Sequence, residues 1–150
     1  RRGDAVNATA EKFGYPGTLV AELEHWLVLA RPAQPTLGSL VLVHKGEATR
    51  LGALPAAAST ELGVACDRIE RALASAFAHD KVNYLALMMV DPDVHFHVLP
   101  RYAGEREFAG GRFADERWPG PPDVTHALAL DDAQRAALVD HLRAHFARAR

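Results

Sequence analysis

An α+β fold built on a mainly antiparallel sheet is predicted by three observations. Four apolar runs of strand length occur at 26–30, 38–43, 83–90 and 94–99. Two longer stretches, opening near Ser59 and Asp131, space their apolar residues for helices. The resulting order is strand, strand, helix, strand, strand, helix, which sets strands beside one another with few crossovers.

Residues 1–18 are polar and close on Gly14-Tyr15-Pro16-Gly17, the composition of a tail or turn, which leaves 19–150 as one domain. Trp26-Leu27-Val28-Leu29-Ala30 reads as a strand, and Arg31-Pro32-Ala33-Gln34-Pro35 breaks it. The run 38–43 then returns beside it as in a hairpin-type connection. Ser59 is expected as an N-cap, with Glu61 in the first turn where the helix dipole favours a negative charge. Leu62, Cys66, Ile69, Leu73 and Phe77 follow at helical spacing and predict an amphipathic helix that Asp80-Lys81 ends. The stretch 83–90 reads as a buried strand. Asp91-Pro92 interrupts the ladder, and the next strand runs 94–99 until Pro100 stops it. Residues 104–122, rich in Gly, Pro and charge, read as a long loop or short pieces. Asp131 with Gln134 forms a capping-box start, and Leu138, Leu142 and Phe146 mark the buried stripe of the last helix.

The 150 residues are 49% hydrophobic and 24% charged, ordinary for one globular domain. A formal net charge of −2 speaks against a nucleic-acid polymer as partner. No apolar run approaches the length of a membrane span, and the first residues lack the apolar stretch of a signal peptide. The tripeptide Arg2-Gly3-Asp4 is read as a chance match to an adhesion motif. The one cysteine, Cys66, cannot form an internal disulfide, which points to a reducing cytoplasm. Eight histidines are the unusual entry in the composition.

Two of them stand in the chemically distinctive segment. In Asp93-Val94-His95-Phe96-His97-Val98, strand alternation sends Asp93, His95 and His97 to one face and Val94, Phe96 and Val98 to a core. Three readings compete. The first is a wet outer strand face on which the histidines do nothing. The second is a metal site. Same-face neighbours lie roughly 6.6–6.8 Å apart, so two imidazoles can converge on one zinc, with a third ligand such as His44 from elsewhere. The third is nucleophilic catalysis at phosphorus. It requires one imidazole with its second ring nitrogen held by a carbonyl or carboxylate, and donors for the phosphoryl oxygens.

The segment 94–101, Val-His-Phe-His-Val-Leu-Pro-Arg, resembles the signature of the histidine triad (HIT) superfamily. The run 37–45, Leu-Gly-Ser-Leu-Val-Leu-Val-His-Lys, resembles its upstream strand. The resemblance spans roughly residues 20–105. It implies a five-stranded antiparallel sheet with two main helices, and a homodimer. It implies nucleotide hydrolysis or nucleotidyl transfer at an α-phosphate through a His95 intermediate, with His97 beside the phosphate or leaving group and no cofactor. Dinucleoside polyphosphates and nucleoside phosphoramidates are the expected type of substrate. A nucleotide-binding regulatory module with weak or lost catalysis is the alternative. Asp93 stands where the family has its first histidine, and Ser39 where many members have another. Asn83, twelve residues before His95, resembles a phosphate-side asparagine, and Lys45 and Arg101 can screen phosphate charge. Substrate contacts are therefore expected from Asn83, Asp93, Arg101, Ser39 and Lys45. Trp26 and Trp118 are expected in the core, and His25, His79, His126, His141 and His145 away from the chemistry.

Overall fold

Among the described residues seven strands and three α-helices follow one another: α1 (Ala8–Lys12), β1 (Leu19–Glu22), β2 (Trp26–Ala30), β3 (Leu40–His44), α2 (Ala56–Phe77), β4 (Lys81–Leu85), β5 (His95–Arg101), β6 (Arg106–Phe108), β7 (Gly111–Phe113) and α3 (Asp132–Arg148). The computed structural model describes residues 7–150. The Arg2-Gly3-Asp4 match and the first part of the expected tail lie outside the described residues. The main sheet runs β1-β2-β3-β5-β4, every pair antiparallel. With α2 and α3 this is the five-stranded α+β architecture with two main helices that the sequence implies.

Alternation along the strands builds two apolar layers. Val28, Leu40, Leu42, Val94 and Val98 pack against Ile69 and Leu73 of α2 and Leu138, Leu142 and Phe146 of α3. On the opposite face, Leu27, Leu29, Val41 and Val43 pack under Ala10, with Phe13, Tyr15 and Leu19 beside them. Strands β2 and β3 are thus buried on both faces, which is why they read as unbroken apolar runs.

The second layer corrects the expected tail. Residues 7–18 fold over the sheet because Asn7 ties them down twice. Its side-chain oxygen accepts from Ala10 N–H at 2.9 Å, capping α1, and its amide donates to the His44 carbonyl at 2.9 Å. Strand β1 was hidden in a mixed stretch because Glu22 breaks its apolar pattern and its pairing with β2 carries an irregularity between Leu19 and Ala21. Helix α2 begins before Ser59, at Ala56, because three alanines after Pro55 are strong helix formers. Glu61 turns outward from that helix and accepts from the backbone N–H of His25 at 2.7 Å and of Glu24 at 3.2 Å, so it stitches the β1–β2 turn.

The expected buried strand 83–90 is a shorter edge strand, β4, and the chain leaves the ladder after Leu85. Met88 takes a positive φ of 44°, and Met89 and Val90 are exposed. Pro100 does not stop β5. It lies past the last pair with β3, Leu40↔Val98, so its missing donor breaks no bond there, and it still pairs with Val82. The expected loop 104–122 opens with the β6–β7 hairpin. Helix α3 starts as expected: Asp131 and Gln134 exchange the two capping-box bonds at 2.7 and 2.9 Å. Among the described residues no helix is long and apolar enough to cross a membrane.

Gly38 sets the entry to β3. Its φ is +88°, and a Cβ there would meet the Phe77 ring at 3.0 Å. Gly38→Ala is expected to destabilise the fold by about 1–3 kcal/mol, from left-handed backbone strain plus the ring contact. Urea unfolding measures it, and a change within about 0.5 kcal/mol would contradict the assignment.

Candidate active site

Directly paired residues share a sheet face, so Val43↔His95 and Val41↔His97↔Leu85 place both imidazoles on the α1 side of the sheet. Val94, Phe96 and Val98 face the helices, as the alternation predicts. His95 is 2% exposed and His97 8%. Their rings meet edge to face at 5.1 Å, and Phe13 lies over both, at 5.9 Å from His95 and 5.8 Å from His97. The reading of a wet outer face therefore fails: the pair sits beneath residues 7–18.

His95 Nδ1 lies 2.7 Å from the backbone carbonyl of Asp93. A carbonyl only accepts, so Nδ1 must carry the proton, and in the neutral ring the lone pair is on Nε2. The Asp93 carboxylate does not supply this contact. It accepts from Thr9 Oγ1 at 2.9 Å, which ties α1 to the head of β5. Asp93 itself precedes β5, which begins at His95. The adjacent Lys12–Asp91 ion pair, at 2.9 Å, makes a second tie.

His97 is pushed down to about 4, first by burial and then by the nearby charge of Arg31, with smaller effects from His95 and Lys12 and opposition from Asp91. Its Nδ1 is buried with no hydrogen-bond partner among the described residues. Because the folded value lies below the unfolded one, the unfolded chain binds the proton first. Stability should fall as pH drops from about 6.5 to about 4, by at most about 1.4 kcal/mol per pH unit from this one group. The direct test is NMR of the ring protons. His97 should stay neutral from pH 8 down to about 5, and a midpoint near 6.5 would contradict this.

The expected substrate-side residues separate. Asn83 Oδ1 accepts from Arg101 Nη1 at 2.8 Å, while its amide nitrogen has no partner among the described residues. Arg101 is committed elsewhere: it grips Asp115 at 2.7 and 3.2 Å and the Gly120 carbonyl at 2.9 Å. It is a buried anchor for the loop after β7, not a free phosphate cation. Ser39 is fully buried, and its hydroxyl donates to the Thr36 carbonyl at 2.7 Å inside the turn before β3. Lys45 pairs with Glu22 at 2.6 Å. His44 faces the other layer, its ring 5.3 Å from Trp26, so it cannot join His95 and His97 around one ion. No three His, Cys, Asp or Glu among the described residues are grouped to hold a metal.

Trp26 is core, its indole donating to the Ala58 carbonyl at 2.9 Å. Trp118 is not core. With Lys81, Asn83, Leu85 and Pro119 it lines an open groove of about 760 Å³ along the edge strand. The rings of His141 and His145 lie 4.4 Å apart, and burial, His141 and Arg148 hold His145 below its ordinary value. One residue escaped the sequence reading. Arg31 continues the alternation of Leu27 and Leu29, bonded through its N–H to the Ser39 carbonyl at 2.9 Å. The signal available was its place just after an apolar strand, masked by the proline turn that follows.

Solved structures of like shape are numerous. A histidine triad protein from Bradyrhizobium japonicum superposes with a TM-score of 0.71 at 22% identity, covering 95% of this chain and 97% of the other. The chain has the histidine triad fold. A histidine triad protein from Marinobacter aquaeolei VT8 gives 0.69 at 22% identity, over 88% of this chain and 90% of that one. A hypothetical histidine triad nucleotide-binding protein from Sulfolobus tokodaii strain7 gives 0.67 at 15%, over 87% and 84%. No protein-family model and no curated protein matches the sequence. Within the histidine triad fold, the His95–His97 pair lies on the strand at the middle of the residues that suggested the likeness.

Proposed function

We propose that the protein is a nucleotide phosphohydrolase or nucleotidyl transferase acting at an α-phosphate through a nucleotidyl-His95 intermediate. The observation that carries this reading is the 2.7 Å contact from His95 Nδ1 to the Asp93 carbonyl, which leaves Nε2 as the free nucleophile. The histidine triad fold, and a neighbour of that fold described as nucleotide-binding, support it.

In the first step the Nε2 lone pair forms a bond to the α-phosphorus while the bond to the leaving oxygen or nitrogen breaks. The leaving atom departs with that electron pair and takes up a proton from solvent or from a neighbouring N–H. His97, neutral above about pH 4, offers one N–H toward a phosphoryl oxygen or the leaving atom. The amide of Asn83 is a second donor. In the second step water, or another acceptor, attacks phosphorus as the P–N bond breaks, and His95 recovers its lone pair. The identity of the first triad residue matters little to this step, because position 93 orients His95 through its backbone carbonyl.

Edge strand β4 is open for pairing with a second copy, and the homodimer belongs to the same proposal. The lone Cys66 fits a reducing compartment such as the cytoplasm. The burial of both imidazoles under Phe13 favours one second reading, a regulatory nucleotide-binding module. Incubation with labelled diadenosine tetraphosphate and adenosine 5′-phosphoramidate separates them. Release of AMP from either substrate supports the enzyme. Micromolar binding without product, with hydrolysis gained on Asp93→His, supports the module.

A further inference from the structure

Each other cation near the histidine face has an anionic partner. Lys12 holds Asp91, Lys45 holds Glu22, and Arg101 holds Asp115. Arg31 holds none among the described residues. Its Nη1 donates to the Ala33 carbonyl at 3.0 Å, and its Nε is buried with no hydrogen-bond partner among the described residues. Leaving a buried donor unmet is costly, so one at the rim of the histidine face calls for an explanation. Burial also holds the guanidinium below the ordinary arginine value, a penalty that an anion beside it would relieve.

Its position says what kind of anion. The His95 row contains Val43, and the Arg31 row contains Ser39, four residues further along β3. That is about 13 Å along the strand, and β2 lies two strands from β5, about 9.6 Å across. The guanidinium, held on the Ala33 carbonyl, stands on the same sheet face as His97 and is the strongest charged influence on it. The phosphorus attacked by His95 lies one row beyond. The guanidinium therefore addresses a different part of the ligand.

We propose that Arg31 binds a second phosphate group, so that the site selects nucleotides carrying two phosphates, in a polyphosphate chain or on the ribose, over nucleoside monophosphates. This rests on the nucleotide reading given above, with Arg31 as a specificity residue on the His97 side.

The test is binding, independent of turnover. AMP, ADP, adenosine 3′,5′-bisphosphate and pyrophosphate are titrated by calorimetry into the wild type, Arg31→Gln and Arg31→Lys. In the wild type ADP or the 3′,5′-bisphosphate should bind about 10- to 100-fold tighter than AMP, the value of one charge-assisted contact. Whichever of the two shows the advantage identifies the second phosphate as chain or ribose. The advantage should vanish in Arg31→Gln and return in part in Arg31→Lys, with AMP affinity within about threefold throughout. Melting curves close to the wild type show that both variants fold. Equal binding of AMP and both bisphosphates, or an advantage that survives in Arg31→Gln, would overturn the assignment while leaving the nucleotide reading intact. Arg31-dependent pyrophosphate binding without any nucleotide binding would instead overturn the nucleotide reading and leave the anion site standing.

Discussion

Replacing His95 with alanine is expected to lower kcat/KM for nucleotide hydrolysis by at least about a thousandfold, since the variant retains only binding and electrostatic assistance. The effect should fall on kcat more than on KM, because Nε2 contributes to the reacting atoms and little to holding the base or ribose. The truncation removes a ring that touches Phe13 and His97 and leaves the Asp93 carbonyl without its donor. Some stability is therefore lost, about 1–3 kcal/mol. His95→Asn is the control for that loss: its amide can still donate to the carbonyl, yet it has no nucleophilic nitrogen. Steady-state assays with diadenosine tetraphosphate and adenosine 5′-phosphoramidate read the outcome. A folded His95→Asn protein that keeps a tenth of the wild-type rate would mean that phosphorus is attacked by another group.

The largest effect on stability is expected at Arg101. Its side chain is 5% exposed, that of Asp115 2%, and they meet at 2.7 Å. Arg101→Met leaves the Asp115 carboxylate buried with only the backbone donors of Tyr102 and Arg117, at 3.1 and 3.3 Å. It also releases the Gly120 carbonyl and the Asn83 side chain. Breaking a buried pair in this way costs about 3–5 kcal/mol, more than the pair itself contributes over an apolar replacement. The variant carries a pH signature as well. Burial pushes the Asp115 carboxyl up, but the Arg101 guanidinium and the Tyr102 N–H outweigh it and hold the group below the ordinary carboxylate range. A depressed carboxylate contributes stability in full above its unfolded value near 3.9, and that contribution is lost as pH falls through the folded value. Urea unfolding at pH 7 and at pH 3 should therefore show a smaller gap between wild type and Arg101→Met at the lower pH. An equal gap at both would assign the loss to packing alone.

The residues that proved hardest to place from sequence have a common physical cause. Alternation across 94–98 was legible because each alternate residue commits to one face, and the helix stripe of Leu138, Leu142 and Phe146 was legible for the same reason. Strand β2 was legible because burial on both faces leaves no polar interruption. Residues 7–18 were not, since a short helix that covers the site needs only Ala10 and Phe13 to bury itself, and its hold comes from Asn7, Thr9 and Lys12. Polar residues that work as ties look in sequence like a solvated tail. The site shows the same limit. His95 and His97 were found by spacing, but Arg101 and Lys45 were read as free cations because their partners Asp115 and Glu22 are 14 and 23 residues away. Arg31, which has no anionic partner among the described residues, stands in a proline turn that hides its strand face. Position 93 shows it once more, since the contact that orients His95 comes from the backbone carbonyl, which the residue type does not encode.

The central step is the bond that Nε2 of His95 forms to phosphorus. Mixing the wild-type protein with adenosine 5′-phosphoramidate, quenching at neutral to alkaline pH and digesting for mass spectrometry tests this most directly. The predicted result is an AMP-sized addition on the peptide holding His95, lost on brief acid treatment and absent from His95→Asn. AMP release by the wild type with no addition at His95, or with the addition on another residue, would contradict it.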